Sequence, residues 1–284
     1  MRTDRQPLLC LRQIRKSFGP TEVLHGVDLD IYAGEVVALL GENGAGKSTI
    51  SNVIAGALQP SSGKMTWLGN HYAPANPRAA MDAGIGFIHQ ELHLLEHLSI
   101  AENVFVGRWP KIYGRVDRAF MEKQAHTQLE RLGLDISPSR LVGGLSTANQ
   151  QLIEIAKALA HDAKLLILDE PTAALGGAET ELLFQQIGRL KADGVGLIYI
   201  SHRLEEIRKI SDRILVMRDG DKVQEFASGN VPVRTIVESM VGRSLDRMFP
   251  AIPEPEAQIC VEVKNLSSPK GTFSDVSFEV KTGE

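Results

Sequence analysis

A glycine-rich stretch near the start of the chain limits its possible folds more than any other feature. Residues 41–49 read Gly-Glu-Asn-Gly-Ala-Gly-Lys-Ser-Thr, which matches the pattern Gly-x-x-x-x-Gly-Lys-[Ser/Thr] of a phosphate-binding loop. The apolar run Val36–Leu40 precedes the motif and predicts a buried strand, and the residues after it predict a helix over 48–58. The motif requires a strand, a loop and a helix in this order. We therefore predict a phosphate-binding loop rather than a chance glycine-rich turn.

Each residue type in this loop has a physical reason to be there. Glycine lets the backbone wrap around a polyphosphate without a side-chain clash, and backbone N–H groups and the helix N-terminus then face the anion. Lys47 would reach the β- and γ-phosphates, and the Ser48 hydroxyl would hold Mg²⁺. The predicted loop residues are Gly41, Glu42, Asn43, Gly44, Ala45, Gly46, Lys47, Ser48 and Thr49.

Composition narrows the remaining possibilities. The 284 residues suffice for one large or two smaller domains, and 43% of them are hydrophobic, enough for a sizeable core. A formal net charge of −4 gives no support for a nucleic-acid partner. Cys10 and Cys260 lie far apart without metal-ligand spacing, which indicates two reduced thiols in a cytosolic protein. We find neither the apolar core of a secretion signal nor a run long enough to cross a bilayer, so we expect any membrane role to act through a partner.

Apolar runs alternate with helical patterns along most of the chain. Strands are predicted at 36–40, 85–88, 165–168 and 196–200, and helices at 48–58, 151–160, 179–190 and 204–210. Long helical patterns over 99–134 are broken by proline and glycine at Trp109-Pro110 and Gly114. Runs that are apolar throughout are typical of parallel strands buried on both faces. Strands alternating with helices therefore predict an α/β fold with a mainly parallel sheet.

Two acids follow the apolar run at 165–168. Asp169 stands at the predicted strand end, where it can hold the coordination shell of Mg²⁺. Glu170 is the natural general base to orient or deprotonate an attacking water. Acids at a strand end can also simply cap a turn. The phosphate-binding loop upstream favours the interpretation as a catalytic metal site.

Two further polar residues follow predicted strands. Gln90 comes after the strand at 85–88, and its amide could ligate Mg²⁺ or water and sense the γ-phosphate. Taken alone, Gln90 would be a solvated loop residue. His202 comes after the strand at 196–200, where a single histidine is more often a satisfied core or surface group than a functional one.

These motifs occur in an order that resembles the ATPase domain of ABC transporters. The motifs are, in order, the phosphate-binding loop, Gln90, the segment Leu145–Gln151, Leu-Asp-Glu-Pro at 168–171 and Ser-His at 201–202. The resemblance covers nearly the whole chain. It implies that Lys47, Ser48 and Thr49 bind phosphate and Mg²⁺ of ATP. It also implies an α/β P-loop domain with a mainly parallel sheet, an antiparallel β subdomain and a helical subdomain over about 92–160.

The same resemblance assigns roles to residues outside the loop. It implies that Gln90 is the Q-loop residue and a Mg²⁺ ligand with Ser48 and Asp169, that Glu170 is the catalytic base, and that His202 is the switch histidine. Two more residues would contact nucleotide. Ser146 lies in the signature segment Leu145–Gln151. Phe18 lies where this family places an aromatic ring against adenine, although it could instead be a core aromatic at a strand turn.

The chain departs from the general family pattern at two places. The signature segment carries Thr147 and Ala148 where paired glycines are common. Such glycines let backbone N–H groups approach the γ-phosphate bound to a partner domain, so we expect less close packing there. Gly176 stands where many members carry Asp or Thr in a loop that contacts the opposite domain. The sequence therefore does not decide whether this loop couples the two domains.

Finer features resemble the tandem ATPases that import ribose, xylose and galactose. They are the segments Phe87–Leu92, Ser99–Val104, Pro171–Leu175 and Ile200–Glu206. This resemblance implies ATP hydrolysis that powers monosaccharide import, with the protein bound peripherally at the cytoplasmic face of the inner membrane. The implied partners are transmembrane permease subunits, a second ATPase domain from a homodimer or a tandem half, and, indirectly, a periplasmic sugar-binding protein. No nucleic acid is expected.

The C-terminal part of the chain repeats an earlier part. Val263–Leu266 resembles Leu11–Ile14, and residues 273–284 match 24–35 position by position, which indicates an internal repeat. We therefore predict an ATPase domain over 1–243, a proline-rich linker over 244–258 and the start of a truncated second ATPase domain over 259–284. Two unrelated hairpins of similar alternation remain the alternative.

Three other functions stay open. A non-transport ABC ATPase, such as a tandem translation factor, usually has a long charged linker, which the short proline-rich segment here disfavours. A truncated fragment could bind ATP without turnover. A nucleoside importer of the same branch would carry the same motifs, because the sequence does not name the cargo.

Overall fold

The computed structural model describes residues 5–229, 231–242 and 258–283. The chain divides into two compact units, residues 1–241 and 242–284, and each unit is described by itself. No helix among the described residues is long and apolar enough to cross a membrane. The linker prediction at 244–258 lies outside the described residues except for its last position.

Fourteen strands and eight α-helices make up the described part of the chain. The strands are β1 (Leu9–Phe18), β2 (Thr21–Ile31), β3 (Val36–Leu40), β4 (Ser62–Trp67), β5 (Asn70–Tyr72), β6 (Ile85–Ile88), β7 (Lys111–Ile112), β8 (Arg115–Val116), β9 (Leu165–Asp169), β10 (Gly196–Ile200), β11 (Arg213–Arg218), β12 (Asp221–Ala227), β13 (Ile259–Leu266) and β14 (Val276–Lys281). The helices are α1 (Lys47–Ile54), α2 (Pro77–Asp82), α3 (Ile100–Val104), α4 (Arg118–Arg131), α5 (Thr147–Leu159), α6 (Gly177–Ala192), α7 (Leu204–Ile210) and α8 (Val233–Val241).

A six-stranded sheet forms the centre of the first unit. Its strand order is β12-β11-β3-β10-β9-β6, and every neighbouring pair is parallel except β11 with β12. All residues of β3 and β10 are buried, as expected for apolar strands covered on both faces. The predicted mainly parallel sheet is confirmed.

The two faces of this sheet belong to two separate cores. Val36, Ala38 and Leu40 of β3 contribute to one apolar cluster, whereas Val37 and Leu39 contribute to the other. This division follows from the two-residue period of a strand, which sends alternate side chains to opposite faces.

A different structural layer covers each face. On the first face, helices α3, α4 and α5 pack around apolar residues such as Val104, Met121 and Leu152 and form the helical subdomain. On the second face, α1 and an antiparallel sheet of order β2-β1-β4-β5 pack through residues such as Leu11 and Ile50. The predicted fold class, with its antiparallel β and helical subdomains, is confirmed.

Several predicted helix boundaries are wrong. The helix predicted to run to residue 58 ends at Ile54, because Gly56 adopts a φ of 74° and a Cβ there would lie 2.7 Å from the Asn76 carbonyl oxygen. The helix predicted from 151 begins at Thr147, because the Ser146 side chain caps it by accepting a bond from the Asn149 N–H. The predicted break at Trp109-Pro110 and Gly114 agrees with the structure, where the small hairpin β7–β8 separates α3 from α4.

The second unit contains the hairpin β13–β14, which reproduces the pairing of β1–β2. Val261 faces Val280 as Leu9 faces Ile31, Val263 faces Phe278 as Leu11 faces Leu29, and Leu266 faces Val276 as Ile14 faces Val27. Each pairing corresponds to the position-by-position match in the sequence. The repeat in the sequence is therefore also a repeat in strand register.

The two hairpins share one irregularity as well. A register shift interrupts β1 between Leu11 and Ile14, where Gln13 has a φ of 51° and donates its N–H to Asp28 Oδ1 at 2.6 Å. At the equivalent place in β13, Asn265 has a φ of 53° and donates its N–H to Ser277 Oγ at 2.9 Å. Positive φ is uncommon outside glycine, so this shared bulge is unexpected for two unrelated hairpins.

Candidate functional site

Four parallel strands end at the same edge of the central sheet. The strand pairings place Ile200 beside Asp169 and Leu39, and Ile88 beside Leu168. The residues that follow these strand ends are the glycine-rich loop after β3, Glu170 after β9, His202 after β10 and Gln90 after β6. The carboxyl edge of a parallel sheet is where α/β proteins bind ligands.

The glycine-rich loop connects β3 directly to α1. Gly46 has a φ of 98° and precedes the first residue of α1, and a Cβ on it would lie 2.8 Å from Leu24 Cδ2. A Cβ on Gly41 would lie 2.3 Å from the Met217 carbonyl oxygen. Larger residues at these two positions would displace the loop, so glycine is required by packing as well as by conformation.

Lys47 folds back over the loop that precedes it. Its Nζ donates hydrogen bonds to the carbonyl oxygens of Gly41, at 2.8 Å, and Glu42, at 3.0 Å. Burial lowers the pKa of Lys47, against the opposing effect of the Glu170 and Asp169 carboxylates. A partly desolvated ammonium group is therefore held inside the loop, where it can contact an anion at low cost of rearrangement.

Asp169 ends β9 opposite the loop. Burial raises the pKa of Asp169, the neighbouring Glu170 raises it further, and Lys47 opposes both. Two adjacent carboxylates in a partly desolvated place favour a bound cation. Asp169, the exposed Ser48 hydroxyl and the Gln90 amide supply oxygen ligands of the kind that Mg²⁺ prefers. Among the described residues, no group of three or more His, Cys, Asp or Glu side chains is placed to hold a metal ion.

The unfavourable surroundings of Asp169 give a stability prediction. Because its pKa is raised in the fold, the charged carboxylate destabilises the apo protein above that pKa, and the penalty disappears as the pH falls to the ordinary value. We expect Asp169→Asn to increase the free energy of unfolding in metal-free buffer at pH 7 by about 1 kcal/mol. Urea unfolding at pH 7 and pH 5 would measure this gain, which should be smaller at pH 5. A less stable variant at pH 7 would contradict the argument.

Glu170 and His202 are in direct contact. Glu170 Oε1 lies 3.1 Å from His202 Nδ1, and the side chains are 26% and 66% exposed respectively. The backbone of Glu170 has a φ of 46°, in a region that is uncommon for this residue type, and its N–H donates to the Ile200 carbonyl oxygen at 2.9 Å. His202 is thus exposed and is not a core histidine, and its role as the switch histidine stays a prediction.

Phe18, Gln90 and Ser146 are the predicted site residues that remain to be placed. Phe18 is 46% exposed at the end of β1, with Lys16 Nζ 5.1 Å from its ring centroid, so the alternative of a core aromatic is wrong. Gln90 is exposed after β6. Ser146 caps α5, and among the described residues we find no hydrogen bond between its side chain and the loop.

Sequence reasoning missed a buried acidic residue behind the site. Glu206 on α7 is 7% exposed, and its carboxylate accepts hydrogen bonds from the hydroxyl groups of Thr172, Tyr199 and Ser201 and from Arg203. We call these five residues the Glu206 cluster. Glu206 follows Glu205 in a charged helix, so the pattern alone predicts a solvated face.

A groove runs beside the strand end that carries Gln90. It has a volume of about 400 Å³ and lies where α5 meets β6 and α2. Polar and aromatic side chains lining it include Arg78, Phe87, His89, His93, Arg108 and Glu154. His89, the residue immediately before Gln90, lines this groove.

The fold and the site together define a P-loop nucleotide-binding domain of the α/β class. Residues 24–173 match the family model described as "ABC transporter", and the chain belongs to this family. Solved structures agree. The ADP conformation of MJ1267, an ATP-binding cassette of an ABC transporter, aligns with a TM-score of 0.74 and 27% identity over 84% of this chain and 100% of that one. A dimeric structure of the cassette MJ0796 bound to ADP and Pi aligns with a TM-score of 0.65 and 26% identity, over 78% of this chain and 100% of that one.

Curated relatives extend over the whole chain. It is 46% identical over 284 residues to a putative ribose/galactose/methyl galactoside import ATP-binding protein of Agrobacterium fabrum. The alignment covers 100% of this chain and 56% of the relative. It is 44% identical over 279 residues to the ribose import ATP-binding protein RbsA of Rhodococcus jostii, covering 98% of this chain and 55% of the relative. The chain spans about half the length of the curated relatives it matches.

Proposed function

We propose that this chain binds and hydrolyses ATP and so powers the import of a monosaccharide through an ABC transporter. The observation that carries the proposal is the contact of 3.1 Å between Glu170 and His202 at the sheet edge that also holds the glycine-rich loop. A carboxylate and an imidazole in contact beside a phosphate-binding loop are suited to accept a proton from water and to sense the leaving phosphate. The printed names of the relatives support a sugar as cargo.

Each site residue has a role in this proposal. Residues 41–49 hold the phosphates through backbone N–H groups, and Lys47 neutralises the β- and γ-phosphates. Glu170 accepts a proton from the attacking water, and His202 orients Glu170 and contacts the γ-phosphate. Bound Mg²⁺ would stabilise charge on the phosphates, held by Ser48, Asp169 and Gln90.

Two residues act at the ends of the nucleotide. The exposed ring of Phe18 would stack on adenine, and its exposure leaves a face free for that contact. Ser146 would bind the nucleotide held by an opposite ATPase domain, from its position as the N-cap of α5. We therefore propose that turnover requires two domains that enclose ATP between them.

The partners follow from this arrangement. We propose that transmembrane permease subunits dock on the groove of about 400 Å³ beside Gln90, because its polar and aromatic lining suits a protein partner next to the nucleotide sensor. Docking there would place the protein at the cytoplasmic face of the cell membrane as a peripheral subunit. A periplasmic sugar-binding protein would act only indirectly, by delivering cargo to the permease.

The second ATPase domain is proposed to begin within this chain. The hairpin β13–β14 has the register and the bulge of β1–β2, but Leu266 and Phe278 are each 48% exposed, whereas Ile14 and Leu29 are buried. A hairpin of this size is marginal in water by itself. We therefore propose domains over 1–243 and from 259 onward, with a linker over 244–258.

A measurement of ATPase rate against protein concentration tests the proposed function. If two copies must pair, the rate should rise with the square of the concentration at low concentration. A turnover number that does not change with concentration would contradict the requirement for pairing. ATP binding without hydrolysis at any concentration would favour the alternative of an inactive fragment. Reconstitution with the permease and transport assays with ribose, galactose and a nucleoside would decide the cargo.

Removal of the second unit gives a further prediction. We expect the chain cut after residue 243 to keep its ATP affinity within about threefold and to be more soluble, because the exposed apolar side chains of β13–β14 favour association. Isothermal titration with ATP and light scattering on both chains would measure this. Unfolding of the shorter chain, or loss of its nucleotide affinity, would contradict the proposed domain boundary.

A further inference from the structure

The Glu206 cluster connects the two segments that carry Glu170 and His202. Thr172 lies two residues after Glu170 and donates its hydroxyl to Glu206 Oε2 at 2.7 Å. Ser201 immediately precedes His202 and donates to the same oxygen at 3.2 Å. One carboxylate oxygen thus receives bonds from both segments.

The remaining bonds fix the carboxylate itself. Tyr199 is fully buried in β10 and donates its hydroxyl to Glu206 Oε2 at 2.8 Å, while Arg203 donates to Oε1 at 3.1 Å. The Arg203 N–H also donates to Ser201 Oγ at 3.0 Å, which closes the turn around His202. Bonds to both oxygens, together with the charge of Arg203, offset the cost of burying the carboxylate of Glu206.

The turn after Glu170 needs such a restraint. Glu170 has a φ of 46°, which is uncommon for a residue with a Cβ, and the turn is closed locally by a bond from the Ala173 N–H to the Glu170 carbonyl oxygen at 3.1 Å. Thr172 lies inside this turn and is 2% exposed. Its bond to Glu206 therefore ties a strained turn to the segment that carries His202.

We propose that Glu206 is a positioning residue that holds Glu170 and His202 in contact. The carboxylate acts through its bonds from Thr172 and Ser201, on the segments that carry Glu170 and His202. The proposal rests on the proposed function, in which Glu170 accepts a proton from water. A displacement of about 1 Å in a catalytic group can reduce turnover by about a hundredfold, so a loosened turn should have a large effect on hydrolysis.

Two variants test this role. Glu206→Gln removes the charge while keeping nearly the same shape, and Thr172→Val removes one hydroxyl from the strained turn. Ser211→Ala is a matched control, because the Ser211 hydroxyl is also buried at α7 but bonds to the Ile207 carbonyl oxygen at 2.6 Å, away from both segments. We expect both test variants to reduce kcat at least about tenfold with KM for ATP nearly unchanged, and the control to keep the parent kcat.

Hydrogen exchange separates this proposal from the proposed function. In both test variants the amides of residues 169–175 and 199–204 should exchange faster than in the parent, while residues 41–49 should not change. If the parent hydrolyses ATP, an unchanged kcat in both test variants overturns the positioning role. If the parent does not hydrolyse ATP, the proposed function fails, and hydrogen exchange alone then tests the positioning role. Unchanged protection of the two segments overturns that role. Selective loss of their protection supports it.

Discussion

Replacing Glu170 with glutamine is expected to leave ATP binding intact and to reduce the rate of hydrolysis by about a thousandfold, within the range of general-base effects. The amide keeps the shape of the side chain but cannot accept a proton from the attacking water. It can also keep a hydrogen bond to His202 Nδ1, which lies 3.1 Å from Glu170 Oε1 in the parent. The loss should therefore appear in kcat and not in the affinity for ATP.

A second glutamate provides the control. Glu181 on α6 has an exposed side chain that pairs with Lys209, whereas His202 pairs with Glu170, so Glu181→Gln makes the same chemical change outside that pair. Its turnover should equal that of the parent under conditions in which the parent hydrolyses ATP. Turnover of Glu170→Gln within about threefold of the parent would mean that Glu170 is not the base. His202→Ala should show a smaller loss, because water remains free to reach Glu170.

Replacing Lys47 with alanine is expected to weaken ATP binding at least about a hundredfold, because a charge-assisted contact to the phosphates is lost. The change also removes the two bonds from Lys47 Nζ to the carbonyl oxygens of Gly41 and Glu42, so the empty loop loses part of its fixed shape. Both effects act on the nucleotide complex. Fluorescence titration with a labelled ATP analogue would measure the affinity.

The control for this variant is a lysine on the antiparallel sheet. Lys64 in β4 is exposed, and Lys64→Ala should bind the analogue as the parent does. Circular dichroism on all three proteins would show whether the fold is retained. Micromolar affinity in folded Lys47→Ala would refute the assignment of the phosphate-binding loop.

The strands that carry the site could be predicted from sequence because their signal is local. β3 and β10 are five-residue runs in which every residue is buried, and β9 is four buried residues followed by Asp169. Each run needs no distant information to be recognised as a central strand. The polar residues that follow these runs are then brought to one edge by the parallel arrangement alone.

The Glu206 cluster could not be predicted in the same way. Thr172 and Glu206 lie 34 residues apart, and their contact depends on how α7 packs against the end of β10. The helix end at Ile54 was missed for a related reason, since it depends on Gly56 passing close to the Asn76 carbonyl oxygen. Features that depend on packing between distant segments leave no periodic pattern in the sequence.

The shared bulge of the two hairpins has a consequence for folding. β1–β2 and β13–β14 present apolar side chains in the same register, and β1–β2 docks on the sheet face that carries Val37 and Leu39. An unfolded chain therefore carries two candidates for one acceptor surface, and the wrong one can dock first as an intramolecular swap. The competitor has Val261 and Val263 where the native hairpin has Leu9 and Leu11, so it fills the acceptor less well by a methylene at each position. The competitor also carries Phe278 where the native hairpin has Leu29. Discrimination between the native and swapped topologies thus rests on differences in side-chain size, and shortening Leu9 or Leu11 would reduce it.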